Sequence, residues 1–361
     1  MPKSSAERAA PRRTGAASAA DFRICRETLR AGSKSFFGAS LLLPERLAGP
    51  ASAVYAFCRI ADDAVDLDAD PRGALAGLRV RLDAVYAGRP MARPVDRALA
   101  SVVNDFGLPR ELPEALFEGF EWDLDGRRYA TTDALLDYCV RVAGTVGLMM
   151  AVLMGVRDRE RLTAACDLGV AMQLTNIARD VGEDARNGRI YLPLDALAAE
   201  GIDADAFVAD PRPSAPLQKV VGRILDLADR FYLQAEPGIA GLPLGCRPGI
   251  YAARFVYAGI GDELRRKGLD SVTRRVHPSA ARKALLTGRA LAASVTGMPH
   301  RTVSVTVDAR ALLDASAAAP VHAWLRPKAE AQLEKVIDMF ERLEARDRAR
   351  REGRRRSAGA A

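Results

Sequence analysis

Histidine is scarce in this chain, and that removes several chemistries at once. Only three occur, His277, His300 and His322, and none neighbours another candidate ligand in the sequence. A histidine-centred metal site and a Ser-His-Asp triad therefore drop out. The five cysteines, Cys25, Cys58, Cys139, Cys166 and Cys246, are scattered without CxxC spacing. Their odd number and scatter argue against a disulfide framework or a zinc cluster and suit a reducing cytosol. Aromatic residues make up only 6% of the chain, whereas Ala, Leu and Arg are abundant. That balance favours helices over sheets. No apolar core of a signal peptide follows the first basic residues.

Long apolar runs are also missing. The longest, VAGTVGLMMAVLMGV from Val142 to Val156, spans roughly 22 Å as a helix, short of a bilayer core. It reads as a buried core helix. Gly144 and Gly147 leave room beside it for another backbone or a flat ligand. The net charge of +7 is concentrated at the ends, in residues 1–20 and 346–361. Both stretches are basic, rich in small residues and without periodicity, and read as disordered tails that aid solubility or touch an anionic membrane. Outside them no basic patch is interleaved with aromatics, so nucleic acid is not an expected partner.

What is present is mostly amphipathic helix. Helical patterns run near 21–30, 44–68, 73–87, 95–106, 111–126, 132–155, 159–186, 215–236, 249–267, 278–296 and 327–350. RTVSVTV (301–307) reads as an extended loop. A single all-helical domain over 21–345 is the simplest architecture.

Two of these helices carry chemistry. In YAFCRIADDAVD, the residues Tyr55, Arg59, Asp62 and Asp66 fall within an arc of roughly 60° at helical spacing. In QLTNIARDVGED, the residues Gln173, Asn176, Asp180 and Asp184 fall within roughly 80°. Apolar residues surround both stripes: Val54, Phe57 and Val65 on one, Val170, Leu174 and Ile177 on the other. One acidic pair a turn apart is usually solvated decoration. Two such pairs on apolar helices must be neutralised, by protonation or by a cation. Hard divalent ions resolve this, because Mg²⁺ prefers oxygen ligands and commonly bridges carboxylates to phosphates. Arg59 and Arg179 are then expected to hold phosphate oxygens rather than pair with the aspartates. Ser33, Lys34 and Ser35 in GSKSFFGAS form a possible phosphate cradle or, more plainly, a serine-capped loop.

Together GSKSF, YAFCRIADDAVD, YCVRVAGTVG, QLTNIARDVGEDARNGRIYLP and, more loosely, ARFVYAGIGDELRRKGLDSVTRRV resemble the squalene/phytoene synthase family of head-to-head prenyltransferases, and within it the bacterial phytoene-forming members. The matching pieces span about 33 to 276. The resemblance implies an all-α, isoprenoid-synthase-type helical bundle around a deep central cavity. It implies that Asp62, Asp66, Asp180 and Asp184 hold Mg²⁺ or Mn²⁺, two to three ions, against substrate diphosphate. Ser33, Ser35, Tyr55, Arg59, Gln173, Asn176, Arg179, Tyr257 and Arg275 match diphosphate-site positions. Tyr138 matches a tyrosine near the reacting carbons and, with Arg59 and Arg179, is a catalytic candidate.

The implied reaction joins two molecules of geranylgeranyl diphosphate through prephytoene diphosphate to phytoene, the first committed step of carotenoid biosynthesis. No histidine is placed to act as base, so a released diphosphate is the expected proton acceptor. Ala143, Gly144 and Gly147, with Met149, Met150 and Met154, are expected along a tunnel for the prenyl tail. Ile190–Pro193 is expected as a flap that keeps water from a carbocation. The alternatives are a squalene or dehydrosqualene synthase using farnesyl diphosphate and, in another class, a non-catalytic helical assembly factor. A cytoplasmic protein in peripheral contact with a membrane, or handing its product to a phytoene desaturase, completes the expectation.

Overall fold

Side-chain caps and glycines set many of the helix ends. Asp158 accepts a hydrogen bond from the Arg161 amide at 3.0 Å, which opens the longest helix where free amides need an acceptor. Asp70 caps another in the same way, with Pro71 at its first position. Gly188, at φ +75°, ends the longest helix in a left-handed conformation that only glycine adopts without strain.

The structure, a computed structural model, describes residues 17–296 and 307–321. All but Val321 belong to one compact unit, Met1–Pro320. In chain order the helices are α1 (Ala19–Gly32), α2 (Lys34–Ser40), α3 (Glu45–Leu67), α4 (Pro71–Tyr86), α5 (Pro94–Phe106), α6 (Glu111–Leu124), α7 (Thr132–Cys139), α8 (Thr145–Leu153), α9 (Arg159–Arg186), α10 (Leu194–Ala198), α11 (Ala204–Ala209), α12 (Ala215–Ala240), α13 (Arg247–Arg266), α14 (Ala280–Thr296) and α15 (Arg310–Ala318). There is no strand among the described residues. The all-α expectation therefore holds there. The expected helix at 327–350, most of the loop at 301–307 and both tails, save 17–20, lie outside the described residues.

Three features differ from the sequence reading. The helix expected over 132–155 is broken by a π-turn at Val140–Gly144, which widens the backbone just after Tyr138. Helices α2, α10, α11 and α15 were not anticipated, because segments this short carry too little periodicity to read. The helix expected to stop at 236 continues through Pro237 to Ala240.

Helix α9 is the axis of the fold. It packs against α12, α8, α13 and the π-turn. Glycine makes the closest of these approaches possible. A Cβ on Gly169 would sit 2.2 Å from the Ala143 carbonyl oxygen, and one on Gly147 would sit 2.1 Å from that of Ala165. Gly147 makes the backbone contact read for it and also borders the chamber that the two stripes face. The apolar residues around both stripes are buried as expected, with Val54, Phe57, Val170 and Leu174 all at 1% exposure or less. Each such side chain contributes roughly 1.5–3 kcal/mol. The segment Thr132–Leu153 is long and apolar enough to cross a membrane by length and composition. Most of its apolar window, 61%, is buried inside the chain, which marks it as a core segment.

Candidate active site

The two stripes face one chamber of about 960 Å³, near the upper end for ligand pockets. Tyr55, Arg59, Asp62 and Asp66 line it from α3, and Gln173, Asn176, Asp180 and Asp184 line it from α9. Ser33, Lys34 and Ser35 border it where α1 gives way to α2. Tyr138, Arg179, Tyr257 and Arg275 complete the set, so every expected site residue lines the same cavity. Gly32 matters here for space: a Cβ on it would lie 2.5 Å from the Tyr55 hydroxyl.

The arginines depart from expectation. Arg59 donates to Asp62 at 3.3 Å and also pairs with Asp63. Arg179 forks onto both oxygens of its neighbour Asp180, with one bond at 2.7 Å. Arg275 reaches Asp180 at 2.9 Å and Glu183 at 3.2 Å. All three guanidiniums thus pair with acids, because each lies within a side chain's reach of a carboxylate at the same mouth. Ser33 is also partly used, since its oxygen accepts from the Phe36 amide as the N-cap of α2. The plainer reading of that segment, a serine cap, is therefore present together with its place at the cavity wall.

Crowded carboxylates still lack positive charge. Burial, then the charge of Asp66, pushes the Asp62 pKa up to about 6. Burial, then Asp180 and Glu183, pushes Asp184 up to about 8. These shifts mean that the ionised forms are poorly compensated. No three His, Cys, Asp or Glu side chains among the described residues converge as a ready-made ligand cluster. The residues nonetheless fit Mg²⁺ or Mn²⁺. Such ions keep several waters and take one or two carboxylates together with substrate phosphates, rather than needing an all-protein cage.

A second polar centre was not anticipated. Asp123, on α6, accepts 2.8 Å hydrogen bonds from the hydroxyls of both Tyr138 and Tyr191. The rings of Tyr138 and Tyr191 stack with centroids 5.2 Å apart, and Tyr129 packs beside both. Burial raises Asp123 to about 6, against the two phenol hydrogen bonds. Burial, then Asp123, raises Tyr138 well above the ordinary phenol value, so it is held as a neutral donor. The sequence did carry a signal: Asp123 shares a helical face with buried Leu116 and Phe120, an acid on an otherwise apolar stripe. Arg189, bonded to Asp66 at 2.8 Å, also lines the chamber unforeseen.

Two further readings need correction. His277 borders the chamber together with Arg275 and Lys283, so one histidine does stand near the candidate ligands. Burial, then Arg179 and Arg275, lowers its pKa, which keeps its imidazole neutral. The strip Ile190–Pro193, expected as a flap, is a packed wall. Ile190 and Leu192 are buried, and the Leu194 amide just beyond is tied to the Tyr129 carbonyl at 2.9 Å.

The opposite end of the chamber is apolar. Between Asp180 and Arg161 the α9 wall is built mostly of Ile177, Met172, Gly169, Leu168, Ala165 and Ala164, a length of about 28 Å at helical rise. Gly147, Met150 and Met154 face in from the neighbouring segment, and Ala143 precedes them. Met149 is fully buried and Gly144 packs on Cys166; neither is among the lining residues.

A chamber with an apolar end, whose mouth carries four aspartates on two helices with arginines beside them, is the type of site found in prenyl-diphosphate-using enzymes. Residues 29–282 match the family model for squalene/phytoene synthase. A phytoene synthase of Cereibacter sphaeroides is 50% identical over 91% of this chain and 95% of its own length. One of Rhodobacter capsulatus is 48% identical over 91% of this chain and 97% of its own. Among solved structures, a dehydrosqualene synthase with bound ligand superposes with a TM-score of 0.70 at 32% identity, covering 76% of this chain and 96% of that one. The chain belongs to the squalene/phytoene synthase family.

Proposed function

We infer that the chain is a phytoene-forming prenyltransferase, which joins two geranylgeranyl diphosphates head to head through prephytoene diphosphate. The observation that carries this reading is the two-ended chamber. Its mouth holds carboxylates and guanidiniums from α3, α9 and the segment after α13, and its wall runs on along α9 for about 28 Å to Arg161, apolar from Met172 to Ala164. The half-identity to curated phytoene synthases over nearly the whole chain supports the same product.

Asp62, Asp66, Asp180 and Asp184 would hold Mg²⁺ or Mn²⁺, whose positive charge complements a departing diphosphate. Arg59, Arg179 and Arg275 would exchange a carboxylate partner for diphosphate oxygens, where charge accumulates as the allylic C–O bond breaks. Ser33, Ser35, Tyr55, Gln173, Asn176 and Tyr257 would orient the two diphosphates. The second chain's double bond captures the allylic cation, and a proton is lost to give the cyclopropyl intermediate. A second ionisation, rearrangement and proton loss give phytoene. Two diphosphates and two protons leave in all. The packed wall at Ile190–Leu192 would keep water from the cations. Tyr138, fixed by Asp123, would orient the reacting chain, and a released diphosphate oxygen would accept the proton.

The test is direct. Purified protein with Mg²⁺ is supplied with geranylgeranyl or farnesyl diphosphate, and the hydrocarbon is identified by mass. Phytoene from the C20 substrate is expected. A C30 hydrocarbon formed only from farnesyl diphosphate would overturn the reading in favour of a dehydrosqualene or squalene synthase. Full biological activity with Asp62→Asn and Asp180→Asn together would instead favour the non-catalytic scaffold. The product is insoluble in water, so peripheral contact with the membrane from the cytoplasmic side, and transfer to a phytoene desaturase, follow from the same reading.

A further inference from the structure

The apolar end of the chamber lies under a surface of unusual make-up. Ala39, Leu43, Leu242 and Gly249 line that end together with Arg161, an exposed residue. Just outside it two leucines stand in solvent, Leu41 at 54% and Leu244 at 52% exposure. They sit on adjoining segments, since a Cβ on Gly245 would meet the Pro44 ring at 3.1 Å. Half-buried Phe37 lies one turn before Leu41, whose amide donates to its carbonyl at 3.3 Å. The three apolar side chains thus follow one another across α2 and the loop before α13.

Cations surround them. Arg26 and Arg30 stand over the Phe37 ring at 5.8 and 5.7 Å. Arg46 is exposed two residues past Pro44. None of these three arginines forms an ion pair among the described residues, although Glu27 and Glu45 are near in sequence. Other exposed arginines divide: Arg110 pairs with Glu114 and Asp83, whereas Arg89, Arg93 and Arg230 form no ion pair among the described residues, so it is the closeness of these three to the exposed leucines that matters. Exposed leucines flanked by unpaired arginines match the layered chemistry of an anionic bilayer, with acyl chains below and phosphates above.

We propose that Phe37, Leu41 and Leu244, with Arg26, Arg30 and Arg46, dock this chain onto an anionic membrane surface and set the apolar end of the chamber against it. The proposal rests on the phytoene-forming reading for its purpose, since a C40 hydrocarbon has no diphosphate to lead it back through the charged mouth. The docking itself is independent of product. Full-length protein is sedimented, without substrate, with vesicles of phosphatidylcholine alone or of phosphatidylcholine containing phosphatidylglycerol. Binding is expected only with phosphatidylglycerol, weakening as salt is raised. Leu41→Asp combined with Leu244→Asp is expected to weaken it at least tenfold, since each exposed leucine gives up its burial in the bilayer. Arg26→Gln, Arg30→Gln and Arg46→Gln together are expected to weaken it comparably. The tails are present in every variant, so they cannot account for a difference. Wild-type protein that stays in the supernatant with both vesicles, or variants that sediment like wild type, overturns the proposal. Turnover of geranylgeranyl diphosphate in detergent, and the melting temperature, are expected to be unchanged in the leucine variant. Failure to make phytoene in that assay strikes the functional reading and leaves the vesicle result standing on its own.

Discussion

The two ends of the chamber are built from the same helices and obey different rules. At the mouth, α3 and α9 present acids one turn apart, and their burial is incomplete and electrostatically unfavourable. Asp62 and Asp184 are raised to about 6 and about 8. About 16 to 24 Å along α9 from Asp180, the same helix presents Gly169, Ala165 and Ala164, and its neighbours approach to backbone contact. The mouth trades stability for crowded, poorly compensated carboxylates that a ligand can use. The far end has Arg161 at its edge but no crowded acids, and is governed mainly by packing. Function at one end and fit at the other therefore respond to different substitutions.

That contrast can be broken deliberately. Asp62→Asn or Asp184→Asn should cut kcat/KM by about a thousandfold or more, as losing a main electrostatic contributor does, while the melting temperature holds or rises. A melting temperature that falls with activity intact would invert the comparison. Tyr138→Phe should lower kcat by about tenfold to a hundredfold, and Asp123→Asn should fall in the same range because it releases the same phenol. If Tyr138→Phe left turnover and product unchanged, the tyrosine's orienting part would be lost.

At the apolar end, Gly169→Ala places a Cβ 2.2 Å from a backbone carbonyl. It should cost about 2–3 kcal/mol of stability, read by denaturant unfolding. The last and smallest effect concerns an acid set behind the apolar wall. Asp167 is 1% exposed and bonded by Gln234 at 2.7 Å. Burial, against the Gln234 bond, raises its pKa from 3.8 to about 7. Between those values the folded chain keeps a proton that the unfolded chain releases. Stability due to this group therefore falls as pH rises from about 4 to 7, and the penalty is complete above that. Asp167→Asn should flatten that slope and stabilise the chain at pH 8 by on the order of 1–2 kcal/mol. An unchanged pH profile would place the charge elsewhere.

How much could be read in advance follows the distances along the chain. The four aspartates, Arg59, Gln173 and Asn176 were legible because a stripe is a property of one helix and repeats every turn. The buried faces of α3 and α9 were legible for the same reason. The Asp123 centre was not, because Tyr191 reaches it from 68 residues away. Arg189 pairs with Asp66 across 123 residues, and no local pattern announces such a contact. His277 has no acid beside it in the sequence; the fold brings it Asp180 and Arg179 from α9, in addition to nearby Arg275 and Lys283. The arginines were assigned to phosphate by their chemistry. The acids that take Arg59 and Arg179 first stand within four residues on the same helices, whereas Arg275 reaches Asp180 from 95 residues away, a contact only the fold reveals.

The sequence by itself determined a helical protein, two acid-bearing stripes, a buried glycine-rich segment and a family resemblance, since periodicity and motif spacing are local quantities. The tertiary structure alone decided that the stripes share one chamber, that Asp123 holds two tyrosines within it, and that Leu43 and Leu242 line it while Leu41 and Leu244, two residues away, are exposed. Those outcomes depend on how helices far apart in the chain pack together. That packing is set by the sum of many side-chain contacts, which no single segment encodes.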